Sequence, residues 1–344
     1  MELKAGKASG RNDTADIFKA ICIFFVIIGH APLCNNEVKR YLYSFHMPAF
    51  FLIYGLLYNV EKHESRGFLT KKFLVEKMTR LLIPCYVCGL VYSLLSSTGI
   101  NIRTLPLILW GSQRSFALAD SLTSLWFLPC MFISTIWFEL MMTAGFQKCP
   151  LYIKVVILLA LAALSVLLPV FKYGYPLCID VSLMGILFII LGRESLPVIK
   201  GLTSSKTPSL VGMAIAATLI CFYLNKLNLN FISINNADMA GRYYGSIVLY
   251  LFCGCLGSFS VCVIAELIVR SKLSALKKVL SFIGRHTLFV LMVHKPMVIY
   301  ACKVLSILPF MKSVVGLLAA ICVYCLTLIL MKVIQKTVGE FALL

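Results

Sequence analysis

Apolar segments follow one another along almost the whole chain, with only short gaps between them. Ten of them approach the ~20 residues that a helix needs to cross the hydrocarbon core of a bilayer. Their approximate bounds are 15–33, 46–60, 80–98, 124–144, 151–170, 177–192, 208–225, 244–268, 283–305 and 312–334. The sixth segment follows Pro176, which predicts a tilted or broken start. The pattern predicts an all-α polytopic membrane protein with a single bundle of about ten transmembrane helices.

The composition excludes an ordinary soluble domain. The chain is 60% hydrophobic and only 13% charged, whereas about 25% of a typical soluble domain is charged. A water-facing surface cannot be built from so few charges, so we expect most of the surface to face lipid. Because the gaps are short, we expect one transmembrane domain over residues 1–344, with a cytoplasmic tail at 1–14.

The basic residues carry a topology signal. When the gaps are assigned to alternate sides, 22 of the 32 Lys and Arg residues fall on the side of the N-terminus and 10 on the other side. The positive-inside rule then predicts that both termini lie in the cytoplasm. This distribution explains the formal net charge of +18 without a nucleic-acid partner, and it makes the lipid bilayer the expected partner.

The cysteines and the outer gaps give weaker signals. Most of the 14 Cys residues lie inside apolar runs, which predicts small apolar filler and neither disulfides nor a metal site. The 225–244 gap is rich in groups that hydrogen-bond hydroxyls, including Asn228 and Asp238. Sugar binding and ordinary loop composition both explain that gap.

Ionisable groups within apolar segments are costly, which makes them functional candidates. The first segment holds Asp16, Lys19 and His30. Eleven residues are close to three helical turns, so Lys19 and His30 share a face, and Asp16 lies one turn before Lys19. Histidine can take a proton from a hydroxyl or carry an acyl group itself. The alternatives are a helix-packing hydrogen bond for His30 and an interfacial, snorkelling Lys19.

Other histidines and a basic cluster add candidates. His294 lies in the ninth segment, which runs in the same direction as the first, so it could approach His30 at a similar depth. His46 stands at the outer start of the second segment, whereas His63 and His286 are predicted to be cytoplasmic surface residues. The basic 62–80 stretch, which includes Lys77 and Arg80, could hold the phosphates of a nucleotide-bearing donor such as acyl-coenzyme A. The topology signal explains the same cluster.

Several motifs resemble one known family. Arg11-x4-Asp16-x2-Lys19, with the apolar run ending at Gly29-His30, resembles the opening helix of the acyltransferase 3 family. The hallmark of that family is a basic residue and a His with ten residues between them, here Lys19 and His30. The stretch from Phe45 to Gly55 resembles the second segment, especially in the branch related to fucose 4-O-acetylases, although Tyr54 replaces a common Ser. Later motifs are similar in order: Lys77-x-x-Arg80-x-x-Ile83-Pro84, Leu125-Trp126-Phe127-Leu128-Pro129, and the stretch from Ile283-Gly284 to His294.

The resemblance implies an enzyme that transfers an acyl group, commonly acetyl from acetyl-coenzyme A, to a hydroxyl of a cell-surface polysaccharide or lipid-linked sugar. We therefore expect an O-acetyltransferase of a bacterial cytoplasmic membrane that needs no metal. The expected site residues are these: catalytic His30 and His294; donor-binding Arg11, Lys19, Lys77 and Arg80; substrate-binding Asp16, His46 and Trp126.

Two other functions fit the same chain. A transporter or flippase of a glycan intermediate would need a polar passage but no acyl chemistry. Such proteins more often carry an acid in the core of the membrane, whereas Glu139 and Glu266 fall toward the cytoplasmic ends of their segments. A non-catalytic partner in a polysaccharide assembly complex would not need His30 at all.

Overall fold

The computed structural model describes residues 12–95, 102–119, 123–231 and 235–337, and these residues are almost entirely helical. The α-helices are α1 (Asp13–His30), α2 (Asn36–Tyr43), α3 (His46–Leu56), α4 (Val60–Arg66), α5 (Lys71–Lys77), α6 (Ile83–Leu95), α7 (Thr104–Trp110), α8 (Gln113–Leu118), α9 (Phe127–Thr143), α10 (Leu151–Leu167), α11 (Ile179–Glu194), α12 (Leu196–Leu202), α13 (Thr207–Phe231), α14 (Ile247–Arg270), α15 (Ser274–Arg285), α16 (Thr287–Leu305) and α17 (Lys312–Thr337). A π-helical turn, Met78–Leu82, joins α5 to α6, and short 3-10 turns precede α9 and α11.

Each of the ten predicted segments coincides with a helix over most of its described residues, and the chain is a multi-pass membrane protein. Seven helical stretches are long and apolar enough to cross a bilayer: Lys71–Leu95, Thr123–Thr143, Pro176–Glu194, Thr207–Asn230, Ile247–Arg270, Thr287–Leu305 and Lys312–Thr337. Of the other three segments, α3 and α10 are shorter, with 11 and 17 residues, and the 18 residues of α1 include three charged ones. The count of ten spans and the cytoplasmic termini stay predictions.

The described chain groups into two compact units. The first unit comprises the described parts of Met1–Ile53, Glu194–Ala237 and Tyr244–Leu344. The second unit comprises the described parts of Tyr54–Arg193, together with Asp238–Tyr243.

Helix α1 is the buried centre of the first unit. The side chain of Asn12 caps its N-terminus by accepting from the amide of Ala15, and Asp13 and Asp16 place negative charge in the first turn, where the helix dipole favours it. Its apolar side chains are buried around most of the helix. A helix that is apolar on nearly every side must be surrounded by lipid or by other helices, and here α2, α14, α15, α16 and α17 pack against α1.

Two glycines let neighbouring backbones approach the α1 region closely. A Cβ on Gly284 of α15 would overlap the backbone carbonyl of Asp16, and a Cβ on Gly316 of α17 would overlap the backbone at Leu33 and Cys34. The hydroxyl of Tyr324 on α17 also donates to the carbonyl of Ala20, at 2.9 Å. Position 284 therefore excludes a side chain for a steric reason.

The second unit confirms the predicted break at Pro176. Leu177 and Cys178 both have φ of 54°, in the left-handed region that non-glycine residues rarely adopt, and α11 begins directly after them. In the first unit, Asn228 donates to the carbonyl of Tyr244 and accepts from the amide of Ser246, at 2.8 and 2.7 Å. The structure therefore favours a structural explanation for Asn228.

Replacing Gly284 with Ala should destabilise the protein by about 1–3 kcal/mol, the usual range for an overpacked interior, because the new methyl group must displace the backbone of α1. Gly212→Ala is the matched control: Gly212 lies on α13, and an added Cβ there would meet nothing within 4 Å. Because Ala favours helix over Gly, the control should unfold at the same temperature or higher. Thermal unfolding in detergent measures both; equal shifts for the two variants would contradict this packing.

Candidate functional site

Three histidines and a tyrosine lie together in the first unit. The ring centroids of His30 and His294 are 5.0 Å apart, with the rings at 75°. Tyr43 lies 6.3 Å from His30 and 4.9 Å from His46, again between centroids. We call His30, Tyr43, His46 and His294 the histidine cluster. The expected approach of His294 to His30 is confirmed.

Each histidine of the cluster holds its Nδ1 against a backbone carbonyl of its own or the preceding helix. The Nδ1 of His30 lies 2.8 Å from the carbonyl oxygen of Val26, and that of His46 lies 2.6 Å from Leu42. The Nδ1 of His294 lies 2.9 Å from the carbonyl oxygen of Leu291. A carbonyl oxygen only accepts, so Nδ1 carries the hydrogen, and Nε2 of the neutral ring is left with its lone pair.

His294 is the most enclosed member of the cluster. Its side chain is fully buried, and its Nε2 has no hydrogen-bond partner among the described residues. A buried nitrogen without a partner is unusual in a folded protein, and catalytic groups are among the known exceptions. The geometry thus provides a buried proton acceptor beside the partly exposed ring of His30.

The local sequence explains how the cluster forms. The chain leaves α1 after His30, and Asn35 caps α2 by accepting from the amide of Glu37. Tyr43 ends α2 and packs its ring on Gly29, where an added Cβ would lie 3.1 Å from a ring carbon. Helix α16 continues through Pro296 without a break, contrary to the disturbance that a proline usually causes, and so carries His294 beside α1.

Two lysines add positive charge near His30. The Nζ of Lys39 on α2 donates to the carbonyl of Pro32, at 3.3 Å, just beyond the end of α1. Lys295 follows His294 directly on α16. Both ammonium groups are close enough to act on His30 electrostatically, which favours negative charge developing at this point.

At the start of α1, Asp16 and Lys19 form an ion pair. Their charged atoms are 2.7 Å apart; the Asp16 side chain is nearly buried, whereas that of Lys19 is 24% exposed. Nearby, Thr14 donates to Glu266 of α14, and Arg270 pairs with the other oxygen of that carboxylate at 2.8 Å. Lys19 thus lies at the opposite end of α1 from His30, eleven residues away.

The remaining candidates lie in the second unit. The Nζ of Lys77 lies 4.7 Å from the ring centroid of Tyr54, a cation–π contact. Arg80 sits on the π-helical turn, with its side chain 60% exposed and only a 3.7 Å ion pair to Glu76. Such turns occur frequently at functional sites. Trp126 is buried, with its ring edge-on to Phe127 at 6.1 Å.

The structure therefore brings together His30, His46 and His294 but not the whole predicted set. Arg11 lies outside the described residues, and the roles assigned to Asp16, Lys19, Lys77, Arg80 and Trp126 stay predictions. Sequence reasoning missed Tyr43, Lys39 and Lys295 as members of the site. The only sequence signal for Tyr43 is its position three residues before His46.

One histidine differs from its prediction. The expectation that His63 is a surface residue is wrong: its side chain is only 13% exposed, and its Nδ1 lies 2.5 Å from a carboxylate oxygen of the fully buried Glu139. The other oxygen of Glu139 accepts from the hydroxyl of Tyr58 at 3.0 Å. The cause is the position of α4, which brings His63 against α9. The charged residues around His63 in the sequence give no signal of this contact.

Comparison with known proteins supplies a family. A protein-family model described as an acyltransferase domain matches residues 12–334. This range includes all ten apolar segments and the histidine cluster. The match does not distinguish the fucose 4-O-acetylase branch, which stays a prediction. A search of curated proteins finds no significant match.

Replacing Glu139 with Ala should lower the free energy of unfolding by about 3–5 kcal/mol, because His63 and Tyr58 would lose their buried acceptor. Glu76→Ala is the control: it removes an exposed ion pair in the same unit and should cost no more than about 1 kcal/mol. Thermal unfolding of both variants in detergent, followed by tryptophan fluorescence, measures the difference. Similar losses from the two substitutions would show that Glu139 is not a stabilising buried acceptor.

Proposed function

The chain belongs to the acyltransferase 3 family and is therefore a membrane acyltransferase, and we propose that it moves an acetyl group from cytoplasmic acetyl-coenzyme A to a sugar hydroxyl. The acceptor in this proposal is a cell-surface polysaccharide or a lipid-linked sugar, and the enzyme works in a bacterial cytoplasmic membrane. The observation that carries the proposal is the His30–His294 pair, with Nδ1 of each ring committed to a carbonyl and Nε2 left as a proton acceptor.

His30 acts as the general base in this proposal. The acceptor hydroxyl donates its proton to Nε2 of His30, and its oxygen attacks the thioester carbonyl of acetyl-coenzyme A. A carbon–oxygen bond forms, the carbon–sulfur bond breaks, and the coenzyme A thiolate leaves with the proton that His30 returns. The ammonium groups of Lys39 and Lys295 favour the negative charge on the tetrahedral intermediate.

His294 supports the base. Because its own Nδ1 is held by the carbonyl of Leu291, its buried Nε2 can only accept a hydrogen bond while the ring is neutral. It can accept a hydrogen bond from the sugar or from a bound water and so orient it toward His30, while the carbonyl of Val26 stabilises the imidazolium ion through Nδ1 of His30. A relay in which His30 itself carries the acetyl group uses the same residues.

The donor is bound by cations on the cytoplasmic side of the predicted topology. Arg80 is exposed and weakly paired, which leaves its guanidinium group available for the phosphates of coenzyme A. Lys77 lies about one helical turn before Arg80 in the chain, and its ammonium group contacts the ring of Tyr54. Lys19 and Arg11 are the donor-side candidates of the first segment.

His30→Ala should abolish acetylation of the surface glycan, because loss of a general base typically slows transfer by about 10²–10⁴-fold. The measurement is mass spectrometry of the glycan from cells that carry the wild-type chain, the variant or no chain, with membrane expression checked. His286→Ala is the matched control: its Nδ1 also lies near a carbonyl oxygen one turn earlier, Phe282, but it lies outside the histidine cluster.

Other results of the same experiment would favour a transporter or a non-catalytic partner. Unchanged acetylation with altered export of the glycan would overturn the enzyme proposal in favour of a transporter. Unchanged acetylation and unchanged export in the His30→Ala cells would leave a non-catalytic partner. Loss of acetyl groups from both His30→Ala and His286→Ala cells would point to misfolding, which the expression check detects.

Arg80→Ala should weaken the binding of acetyl-coenzyme A and raise its KM and Kd by about 10–100-fold, which corresponds to the loss of one charge-assisted hydrogen bond. The kcat should change less. Lys148→Ala is the control, because Lys148 is an exposed cation of the same unit that lies outside the basic 62–80 stretch. Calorimetric titration of the purified protein gives Kd without turnover. A Kd that is the same for wild type and Arg80→Ala would remove Arg80 from the donor site.

A further inference from the structure

Helix α15 lies along one face of the membrane. It connects two of the stretches that are long and apolar enough to cross a bilayer, Ile247–Arg270 and Thr287–Leu305. With 12 residues, α15 is about 18 Å long, too short for the ~30 Å hydrocarbon core, so both of its ends lie at the same face. Gly284 of α15 lies against the backbone of Asp16. The face is therefore the one at the start of α1, at the opposite end of that helix from His30.

The two sides of α15 differ in polarity. Ile283 and Gly284 are buried, whereas Lys278 and Arg285 are exposed. Seven residues are close to two helical turns, so Lys278 and Arg285 lie on one face, and a serine lies on that face one turn before each of them. We call Ser274, Lys278, Ser281 and Arg285 the basic stripe. A helix with one apolar and one basic side is typical of segments that lie in the interface between water and lipid.

No described acidic residue pairs with the two cations of the basic stripe. The sequence contains no Asp or Glu between Glu266 and Glu340, and neither Lys278 nor Arg285 forms an ion pair within the part of the chain that the structure describes. The Nε of Arg285 donates to the carbonyl of Ser281 at 3.2 Å. This contact orients the side chain and leaves the terminal N–H groups of the guanidinium for an anion.

The neighbouring cations, in contrast, are used by the fold. Arg270 pairs with Glu266 at 2.8 Å. The Nζ of Lys277 donates to the carbonyls of Val269 and Ser271 at the end of α14, at 3.2 and 3.0 Å. The positive charge of this segment thus divides into a part that fastens α15 to α14 and a part, the basic stripe, that faces outward.

Two leucines at the start of α15 are exposed. Leu273, directly before the helix, is 59% exposed, and Leu276 in its first turn is 39% exposed. At the face of a membrane, apolar side chains contact the acyl chains while the cations of the same helix reach the headgroups. A soluble anion has no acyl chain for these leucines to contact, so the surface fits a lipid anion better than a soluble one.

We propose that the basic stripe binds the phosphate headgroup of an anionic phospholipid. Lys278 and Arg285 donate to phosphate oxygens, the two serine hydroxyls bond to the rest of the headgroup, and Leu273 contacts the acyl chains. In the predicted topology this face is cytoplasmic, and the anionic lipids of such a leaflet attract Lys and Arg near the surface. Binding of this kind does not depend on the transfer reaction, and it holds α15 against the start of α1.

The test is hydrogen exchange of residues 271–286, followed by mass spectrometry of the full-length protein in lipid nanodiscs. The discs contain phosphatidylcholine alone, or an equal mixture of phosphatidylcholine and the anionic phosphatidylglycerol. A bound headgroup stabilises α15 against local opening. Exchange should therefore be at least about fivefold slower in the mixture, the factor that one cation gains at an anionic surface.

Paired substitutions locate the effect. Lys278→Gln together with Arg285→Gln should remove the difference between the two kinds of disc. Lys278→Arg together with Arg285→Lys keeps both charges and should retain the difference. The matched control is Lys303→Gln together with Lys312→Gln, which removes two exposed cations of the same unit near the end of α16 and the start of α17 and should also retain it.

Three results would overturn the lipid site. Equal exchange of the wild-type segment in both kinds of disc would show that no anionic lipid is bound there. A difference that persists in the double Gln variant would show that the lipid acts elsewhere. Equal slowing by coenzyme A or inorganic phosphate in phosphatidylcholine discs would make the basic stripe a site for soluble anions. His30→Ala should leave the lipid effect unchanged while glycan acetylation is lost, so the lipid site and the proposed function can fail separately.

Discussion

The enclosure of α1 is the constraint on which the site depends. This helix is buried on most sides, so its neighbours must approach it closely, and they do so where side chains are absent or small: Gly284 lies against the backbone of Asp16, and Gly316 against the chain just after the helix. Interiors are packed as densely as organic crystals, so such contacts leave α1 little room to shift relative to α15 and α17. The polar face of α1, which carries His30, is therefore held in a fixed position relative to α2 and α16.

The second constraint is the chemistry of the helix backbone itself. A histidine in a helix, or directly after one, can place Nδ1 near the carbonyl one turn earlier. His30 and His294 do so within their helices and His286 just after α15, at 2.8–3.1 Å. This bond sets the tautomer without any other residue. A carboxylate partner, as in many catalytic triads, would have to be kept charged in an apolar surrounding at a cost of several kcal/mol. The backbone carbonyl orients the ring at no such cost.

The sequence predicted the features that depend on the length of apolar runs and on the free-energy cost of burying an ionisable group. Continuous apolar runs located all ten helical segments, because a bilayer needs a minimum helix length, and the scarcity of ionisable groups within them directed attention to His30 and His294. The contact of His63 with Glu139 was not predictable in this way. It depends on how the short helix α4 folds back, and a histidine among lysines and glutamates gives no periodic signal. The same holds for Arg242, whose partners are carbonyls about 75 residues away in the chain.

Most charged residues of the apolar helices lie near helix ends. Asp16 pairs with Lys19, Glu266 with Arg270, and Asp180 with Arg242; Lys295, near the middle of α16, is an exception. Near the end of a helix, the charges are close to water and to helix termini, which lowers the cost of burial. Farther within the apolar segments, His294 is fully buried with no charged partner needed, because imidazole can remain neutral. A neutral group that can still accept a proton is the least costly base to keep in such surroundings, which accounts for histidine, and not a carboxylate, as the group the fold places beside His30.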